Sequence, residues 1–273
     1  MLHVFSKTCI GYTHLDNKRP CQDFSSQYID NDRTIITCCD GHGGEVYIRS
    51  DVGSRLASYA IINVFCGLKD INYRKYTVKE TRNKIRLEVL CEWNKLVERE
   101  LANRPIKRIE TEELDDDKKD LLKISPVKAY GTTLSGAMVL DDKLVVISIG
   151  DTEVMGIRNG KIEKLFDYDD DPAANLTYSM CQEDAYDYLR VKIYDFKFYD
   201  GVLLCTDGFS SPYQSYDNFN ESFVRPLMQK IINHEDLSYV DKFVEDMALN
   251  LGVGDDVSLA FIINDKVFKK YYK

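Results

Sequence analysis

Residues 33–44 of this chain read RTIITCCDGHGG, and this stretch decides how the fold begins. Its first seven residues are mostly apolar or β-branched, which favours a buried strand over Arg33–Cys39. Aspartate and glycine follow at once, and both are turn-forming residues. Beyond them, apolar residues such as Val52 and Leu56 recur every four positions. The sequence therefore predicts a strand, a tight Asp-Gly turn and then a helix over Glu45–Leu68.

The rest of the chain alternates between hairpins and helices. The first forty residues are expected to form short strands. TLSGAMVL and KLVVISI flank Asp141-Asp142, and VMGIR and KIEKLF flank Asn159-Gly160, a pair typical of a type I′ hairpin turn. Further strands are expected at 189–194, 201–206 and 257–263. Helical spacing recurs at 85–101, 223–232 and 237–251. The order has no regular βαβ alternation, which favours an α+β fold with antiparallel sheets covered by helices.

The composition is that of an ordinary globular protein of 273 residues, with a formal net charge of −9. Such a surface repels nucleic acid and anionic membranes, and no basic stripe is visible in the sequence. The eight cysteines include no CxxC pair, and the N-terminus lacks a signal-peptide pattern. We therefore expect one domain over 1–273, with a helical and acidic segment at about 70–128. It is expected to be a cytoplasmic monomer without a nucleic-acid or membrane partner.

Four aspartates lie next to glycine at the ends of apolar strands. Asp40 follows ITCC, Asp151 follows VVISIG, Asp207 follows VLLCT, and Asp255 precedes VSLAFII. One Asp-Gly pair usually marks only a turn. Because strands bring distant residues to one edge of a sheet, four such pairs indicate a shared site.

Carboxylates that converge in this way repel one another unless protons or cations neutralise them. Oxygen ligands without cysteine favour Mg²⁺ or Mn²⁺ over Zn²⁺. His42 lies inside the DGHGG motif, and we interpret it as a loop residue rather than a ligand. The sequence therefore predicts a magnesium or manganese site built from aspartates.

Six motifs, PCQDF, CCDGHGG, GTTLSG, ISIGDTEV, LLCTDGF and GDDVSLAFI, occur in this order along the chain. In order and spacing they resemble the metal-dependent serine/threonine protein phosphatases (type 2C, PPM), over roughly Gly11 to Ile263. The resemblance is to bacterial-type members with a GxxH…QD opening. It implies an αββα sandwich, in which two antiparallel β-sheets pack face to face with helices on the outside. It also implies two Mg²⁺ or Mn²⁺ ions at one end, with a weak third site.

The activity implied by the resemblance is hydrolysis of phosphoserine and phosphothreonine in proteins, as part of signalling. A hydroxide that bridges the metal ions would attack phosphorus directly, without a phosphoenzyme. By motif match, Asp40 would bridge the two ions and the Gly41 carbonyl would bind one of them. Asp207 and Asp255 would hold the other ion, so Asp40, Asp207 and Asp255 would support catalysis through bound metals. Asp23 would lie at or just behind the metals.

The opening segment departs from the family pattern. Where many members have Glu-Asp, this chain has Gln22, which removes one charge and predicts that one metal binds less tightly. The cation that grips the substrate phosphate is ambiguous, because one count places it at His14 and another at Lys18, with Arg19 beside it. We favour His14, with Arg19 second.

The sequence also departs from the family pattern at the third metal site, and it carries acidic segments that we assign to the surface. The family's third-metal aspartate corresponds to Ser211 here, so Asp151 would form only a weak site. We expect the acidic segments 110–120 and 167–171 to be solvated, and the second to lie where related phosphatases carry a flap that could repel acidic substrates. The helix after DGHGG is expected to point its free amides toward the anionic site.

Two alternatives to a protein phosphatase remain at this stage. One is an inactive relative that binds phosphoproteins, which Gln22 keeps open. The other is a two-metal phosphatase of small phosphorylated molecules.

Overall fold

Ten strands of the described chain form two antiparallel sheets of five strands each. The computed structural model describes residues 1–68, 77–166, 177–233 and 236–265. The strands are β1 (Leu2–Cys9), β2 (Phe24–Ile29), β3 (Arg33–Cys39), β4 (Leu134–Leu140), β5 (Lys143–Ile149), β6 (Glu153–Arg158), β7 (Lys161–Lys164), β8 (Arg190–Asp195), β9 (Gly201–Cys205) and β10 (Val257–Asn264). One sheet has the order β1-β10-β9-β6-β7, and the other has the order β2-β3-β4-β5-β8.

Helices flank the sheets. They are α1 (Tyr12–Asp16), α2 (Ser50–Gly67), α3 (Val78–Asn103), α4 (Asp116–Ile124), α5 (Ala185–Tyr188), α6 (Asp207–Ser210), α7 (Tyr216–Phe219), α8 (Arg225–Ile232) and α9 (Ser238–Asp246). A capping box at Thr77 and Glu80 fixes the start of α3. None of the described helices combines the length and apolar composition needed to cross a membrane.

Three apolar layers stabilise this arrangement. Ile36, Val146 and Ile262 belong to the cluster between the two sheets. The sheet of β2, β3, β4, β5 and β8 packs its other face on α2 and α3. The cluster on the far side joins β9 and β10 to residues of α8 and α9. Because both faces of each sheet are covered, β5 is buried along almost its whole length, as its continuous apolar run predicts. The αββα sandwich is therefore confirmed.

One edge of the sandwich gathers the strand ends that carry the aspartates. The pairs Phe24–Cys39 and Leu134–Ile149 place the start of β2, the end of β3 and the end of β5 there. Leu259 pairs with Cys205, so the end of β9 and the start of β10 lie side by side in the other sheet. This edge therefore positions the candidate site.

The helix after DGHGG begins later than the sequence predicts. It starts at Ser50 instead of Glu45, with Arg49 as its N-cap residue. The amides of Ser50 and Val52 already donate to the carbonyls of Tyr47 and Arg49. The expectation that this helix points free amides at the site is therefore wrong for these two groups, because a preceding turn uses them.

Several other boundaries also differ from the sequence expectation. The first forty residues include the short helix α1 as well as strands. The acidic segment after Pro105, for which a solvated loop or a short exposed helix is expected, contains the helix α4, and 3₁₀ turns at Arg108–Thr111 and Pro126–Tyr130 flank it and bury Tyr130. Wider π turns at Asn220–Val224 and Met247–Leu251 adjoin α8 and α9. Tertiary packing decides these ends, which apolar spacing alone does not reveal.

Candidate metal centre

Asp40 is held in place through its backbone at the end of β3. Its amide donates to Oγ1 of Thr133 at 2.9 Å, and its carbonyl accepts from the Thr133 amide at 2.8 Å. The hydroxyl of Thr132 donates to the same carbonyl at 2.9 Å. The next residue, Gly41, forms an isolated bridge with Thr132. The Gly-Thr-Thr motif therefore supports the Asp40 turn, leaving the partly buried carboxylate for other partners.

Asp207 and Asp255 are brought together because two backbones pass unusually close. A Cβ atom on Gly208 would lie 2.1 Å from the carbonyl oxygen of Asp256. Gly254 has φ of 92°, a left-handed conformation that favours glycine. The glycine after Asp207 and the glycine before Asp255 therefore allow the end of β9 to pack on the start of β10.

Asp23 ties the two sheets together at this edge. It directly precedes β2 of one sheet, and its Oδ2 accepts a 2.8 Å hydrogen bond from Oγ1 of Thr206, which follows β9 of the other. Its side chain is almost completely buried. A buried carboxylate that accepts few hydrogen bonds is costly to ionise.

The carboxylates act electrostatically on one another. Burial raises the pKa of Asp40 well above its ordinary value. Four other carboxylates raise that pKa further, in the order Asp23, Asp207, Asp151 and Asp255. The carboxylates of Asp23, Asp151, Asp207 and Asp255 therefore lie near enough to Asp40 to influence its ionisation.

Two further pKa values point in the same direction. Burial, followed by the carboxylates of Asp256 and Asp255, raises the pKa of Asp23 well above its ordinary value, although two hydroxyl hydrogen bonds oppose this. Loss of water, followed by Asp151 and Asp255, raises the pKa of Asp207. Without another source of positive charge, these carboxyl groups therefore keep their protons to a higher pH than ordinary aspartates do.

The donor chemistry fits divalent cations. In the described part of the chain, no lysine or arginine forms an ion pair with Asp23, Asp40, Asp151, Asp207 or Asp255. The converging atoms are carboxylate oxygens, which are hard ligands that suit Mg²⁺ or Mn²⁺. A cluster of like charges without a cationic side chain therefore has the composition of a metal site.

Asp256 is the residue of this edge whose role the sequence analysis did not recognise. It is buried, and its Oδ1 accepts from the Gly11 amide at 2.8 Å. Its Oδ2 accepts from the Gln22 amide at 2.6 Å and lies 2.8 Å from Nδ1 of His14. Asp256 thus fastens the opening segment to β10. The Asp-Asp doublet before an apolar strand is visible in the sequence, but it does not reveal these distant partners.

We expect Asp256→Ala to lower the free energy of unfolding by about 2–4 kcal/mol, because the amides of Gly11 and Gln22 lose their acceptor. Relief of repulsion with Asp23 works in the opposite direction. Asp256→Asn separates the two effects, since it removes the charge and keeps one acceptor oxygen, and it should be less destabilising. Urea unfolding measures both variants. Asp241, which is half-exposed and whose Oδ1 lies 3.4 Å from Nζ of Lys7, is the control position, and Asp241→Ala should change the free energy of unfolding by less than about 1 kcal/mol. An alanine variant no weaker than this control would contradict the anchoring role.

The remaining predicted site residues occupy different surroundings. The side-chain amide of Gln22 donates to Oγ of Ser50 at 2.6 Å and to the His42 carbonyl at 3.3 Å. Oδ2 of Asp151 accepts from Oγ1 of Thr177 at 2.7 Å. The Arg19 side chain is exposed and forms no hydrogen bond or ion pair within the described ranges.

His14 and His42 both lie near the centre. One ligand atom each from His14, Asp255 and Asp256 falls within 4.8 Å of the others. His42 packs against Tyr47 with ring centroids 5.0 Å apart, and burial lowers its pKa. Its Nε2 is buried without a hydrogen-bond partner among the described residues. The expected flap at 167–171 lies outside the described residues.

An αββα sandwich with a carboxylate cluster at one edge is the architecture of metal-dependent protein phosphatases. The family model described as protein phosphatase 2C matches residues 10–244. The chain therefore belongs to the protein phosphatase 2C family and is a protein phosphatase.

Solved structures agree with this fold. A bacterial serine phosphatase is 16% identical, with a TM-score of 0.62, and the match covers 96% of this chain and 98% of that one. Stp1 of Staphylococcus aureus is 15% identical, with a TM-score of 0.56 and coverage of 97% and 95%. The catalytic domain of PstP, solved with two manganese ions, is 15% identical, with a TM-score of 0.55 and coverage of 96% and 97%. A search of curated protein sequences gave no significant match.

Proposed function

We propose that this protein phosphatase hydrolyses phosphoserine and phosphothreonine in proteins and uses two Mg²⁺ or Mn²⁺ ions held at the carboxylate edge. One observation carries the proposal: burial and neighbouring carboxylates raise the pKa values of Asp23, Asp40 and Asp207 at this edge, and no lysine or arginine pairs with these aspartates in the described chain. At neutral pH, bound metal ions would neutralise these carboxylates more effectively than protons do.

The position of each residue at this edge indicates which part it would play in holding the metal ions. Asp40 is central, since the four other carboxylates all act on it, and it is the candidate to bridge two ions, with the Gly41 carbonyl beside it. Asp255 raises the pKa of Asp207, and both residues are exposed on the side where a phosphoprotein can approach. Asp23 lies deeper and is suited to orient the others.

Two ligands are weaker candidates. Because the amide nitrogen of Gln22 donates to Ser50, only its Oε1 remains to face a cation, and this oxygen carries no formal charge. Asp151 accepts from Thr177, and Ser211 takes the place of a further carboxylate. A third ion would therefore bind more weakly than the first two.

The reaction needs a nucleophile and compensation of phosphoryl charge. Bound divalent cations would supply both, by lowering the pKa of a water and by offsetting charge on the phosphoryl oxygens. The aspartates position these charges and themselves form no bond to phosphorus. The Thr132-Thr133 contacts and the Asp256 contacts hold the aspartate-bearing turns in place, so that bound metal ions would be kept in a fixed position relative to the substrate.

His14 is the better placed of the two candidates for the substrate phosphate. Asp256 fixes its ring orientation through Nδ1, within a few ångströms of Asp255. Its Nε2 makes no hydrogen bond within the described residues, and it can donate to a phosphoryl oxygen when the imidazole is protonated, because Nδ1 then keeps its own hydrogen for Asp256. Arg19 lies on the exposed loop after α1 and has no contact that directs it toward the centre.

The decisive experiment compares phosphate release from p-nitrophenyl phosphate and from matched phosphothreonine, phosphoserine and phosphotyrosine peptides, with Mn²⁺, Mg²⁺ or EDTA. The proposal expects turnover only with a divalent cation, and higher kcat/KM for the phosphothreonine and phosphoserine peptides than for the phosphotyrosine peptide. Turnover of p-nitrophenyl phosphate without any peptide turnover would favour small phosphorylated substrates. No turnover under any metal condition would favour a phosphoprotein-binding role.

We expect His14→Ala to raise KM for the phosphothreonine peptide about tenfold, through loss of one hydrogen bond to an ionised group. Arg19→Ala should change KM by less than about twofold, since its side chain is not directed to the centre. Steady-state kinetics at saturating Mn²⁺ measures both. Unchanged KM in both variants would show that neither residue grips the phosphate, and a larger effect at Arg19 would reverse the order.

A further inference from the structure

A basic groove lies between the start of α3 and the edge strand β8. Its volume is about 430 Å³, and among the residues that the structure describes, one acidic side chain, Asp187, faces it. Five cationic side chains line it: Lys79, Arg82, Arg86, Arg190 and Lys192. In a chain with net charge −9, this is a marked local excess of positive charge.

No basic stripe is visible along the sequence, and the groove arises only when the chain folds. Lys79, Arg82 and Arg86 are spaced by three and four positions, so they share one face of α3. Arg190 and Lys192 are two positions apart on β8, so they share one face of the strand. The two groups are about a hundred residues apart in sequence, so only the packing of α3 on β8 assembles the groove.

The helix side of the groove lacks acidic partners. Within the described residues, Lys79, Arg82 and Arg86 form no ion pair with a carboxylate. Arg86 donates to the Tyr186 carbonyl and lies 4.2 Å from the centroid of that ring. The buried Nε atoms of Arg82 and Arg86 have no hydrogen-bond partner in the described chain. Unpaired guanidinium donors next to a groove are suited to an anionic ligand.

A simpler structural role accounts for only part of the groove. Cationic residues on an edge strand discourage strand pairing with other chains, and this role alone would explain Arg190 and Lys192 on β8. It does not explain Lys79, Arg82 and Arg86, which lie on a helix that covers the sheet. Two elements therefore contribute positive charge to one concavity.

We propose that the basic groove binds an anionic segment of the protein substrate, one that carries clustered carboxylate or phosphoryl groups near the phosphorylated residue. This inference rests on the proposed function and adds a substrate preference to it. Arginine forks bind carboxylate and phosphate groups through paired hydrogen bonds, which gives the preference its chemical basis.

The groove lies within reach of the candidate metal centre. Arg190 pairs with Ser148 in the sheet, and Asp151 follows Ser148 by three residues. Three residues of chain span at most about 10 Å and paired strands lie about 5 Å apart, so Arg190, at one end of the groove, lies within roughly 15 Å of Asp151. An extended peptide spans that distance in three to five residues, so acidic groups at this spacing from the phosphorylated residue would reach the groove.

The test uses a phosphothreonine peptide with neutral flanks and two versions in which three glutamates lie three to five residues before or after the phosphothreonine. With Mn²⁺ at low ionic strength, the wild type should show kcat/KM about tenfold higher for one acidic version than for the neutral peptide. The double variant Lys79→Gln/Arg82→Gln should reduce this preference to about twofold and leave kcat/KM for the neutral peptide within twofold. The preference should also weaken as salt is added.

A matched variant on the same helix controls for loss of charge. Lys95→Gln/Arg99→Gln removes two exposed cations of α3 outside the groove and should retain the wild-type preference. A preference equally weakened in both doubles would overturn the site, as would a wild-type preference for the neutral peptide, which would favour the acidic repulsion expected from residues 167–171.

Direct binding separates this inference from the proposed activity. Fluorescence anisotropy with the acidic peptide lacking phosphate, on EDTA-treated protein, should show binding that the Lys79/Arg82 double weakens about fivefold or more. This result would stand even without turnover, whereas turnover without such binding would leave the proposed function intact and reject the groove. Tighter binding of a single-stranded oligonucleotide of equal charge would reject a peptide as the occupant.

Discussion

Replacing Asp40 with asparagine is expected to lower kcat/KM more than about 100-fold and, at the same time, to stabilise the metal-free protein. Loss of residues that merely support metal ligands costs 10- to 100-fold, so loss of a shared ligand should exceed about 100-fold. Stability should change in the opposite direction, because asparagine removes a charge that four carboxylates repel and that burial disfavours. We expect a gain on the order of 1 kcal/mol at neutral pH in EDTA.

Both effects are measured on one preparation, by Mn²⁺-dependent peptide dephosphorylation and by urea unfolding in EDTA. Asp217→Asn, an exposed aspartate at the start of α7, is the matched control and should alter neither quantity. An Asp40→Asn protein that is inactive but also less stable without metal would indicate a structural role for the carboxylate. Full activity would exclude Asp40 from the centre.

The parts of the fold that the sequence predicts well are those whose signal is local. The β6–β7 hairpin follows from Asn159-Gly160, and both residues have the positive φ that its turn requires. β5 follows from a run of apolar residues that fits a sheet covered on both faces. The predicted start of α2 was wrong by five residues, because Arg49 caps the helix from outside it. The Arg49 side chain pairs with Glu110 and donates to Tyr130. That contact joins distant segments, and no local pattern encodes it.

The same distinction applies to the candidate site. The proximity of Asp40, Asp151 and Asp207 was predictable, because each follows an apolar strand. In one sheet, β3 and β5 run in the same direction on either side of β4 and therefore end at one edge. The role of Asp256 was not predictable, since its partners Gly11 and Gln22 lie more than two hundred residues away in sequence. The basic groove was missed for the same reason. Charge counted along a chain does not show which faces of two elements meet.

The stability of the metal-free protein is expected to fall as pH rises, and divalent cations should reverse that trend. The pKa values of Asp23, Asp40 and Asp207 are raised in the folded protein. From about pH 4 upward, the folded state therefore holds protons that the unfolded chain has already released. Under these conditions each rise in pH favours the unfolded state, so this contribution to stability is present at low pH and lost as pH rises through the raised pKa values.

Metal binding has the opposite dependence, because cations compete with those same protons for the carboxylate oxygens. Unfolding should be followed in urea between about pH 5 and pH 8, with EDTA or with Mn²⁺ in excess. The gain from Mn²⁺ should be small at the acidic end and reach about 2–3 kcal/mol at the basic end, the value for a ligand at roughly a hundred times its Kd. In Asp40→Asn, both the decline in EDTA and the gain from Mn²⁺ should shrink. A Mn²⁺ gain that is equal at both pH values, or unchanged in the variant, would show that the cation binds elsewhere than at this cluster of aspartates.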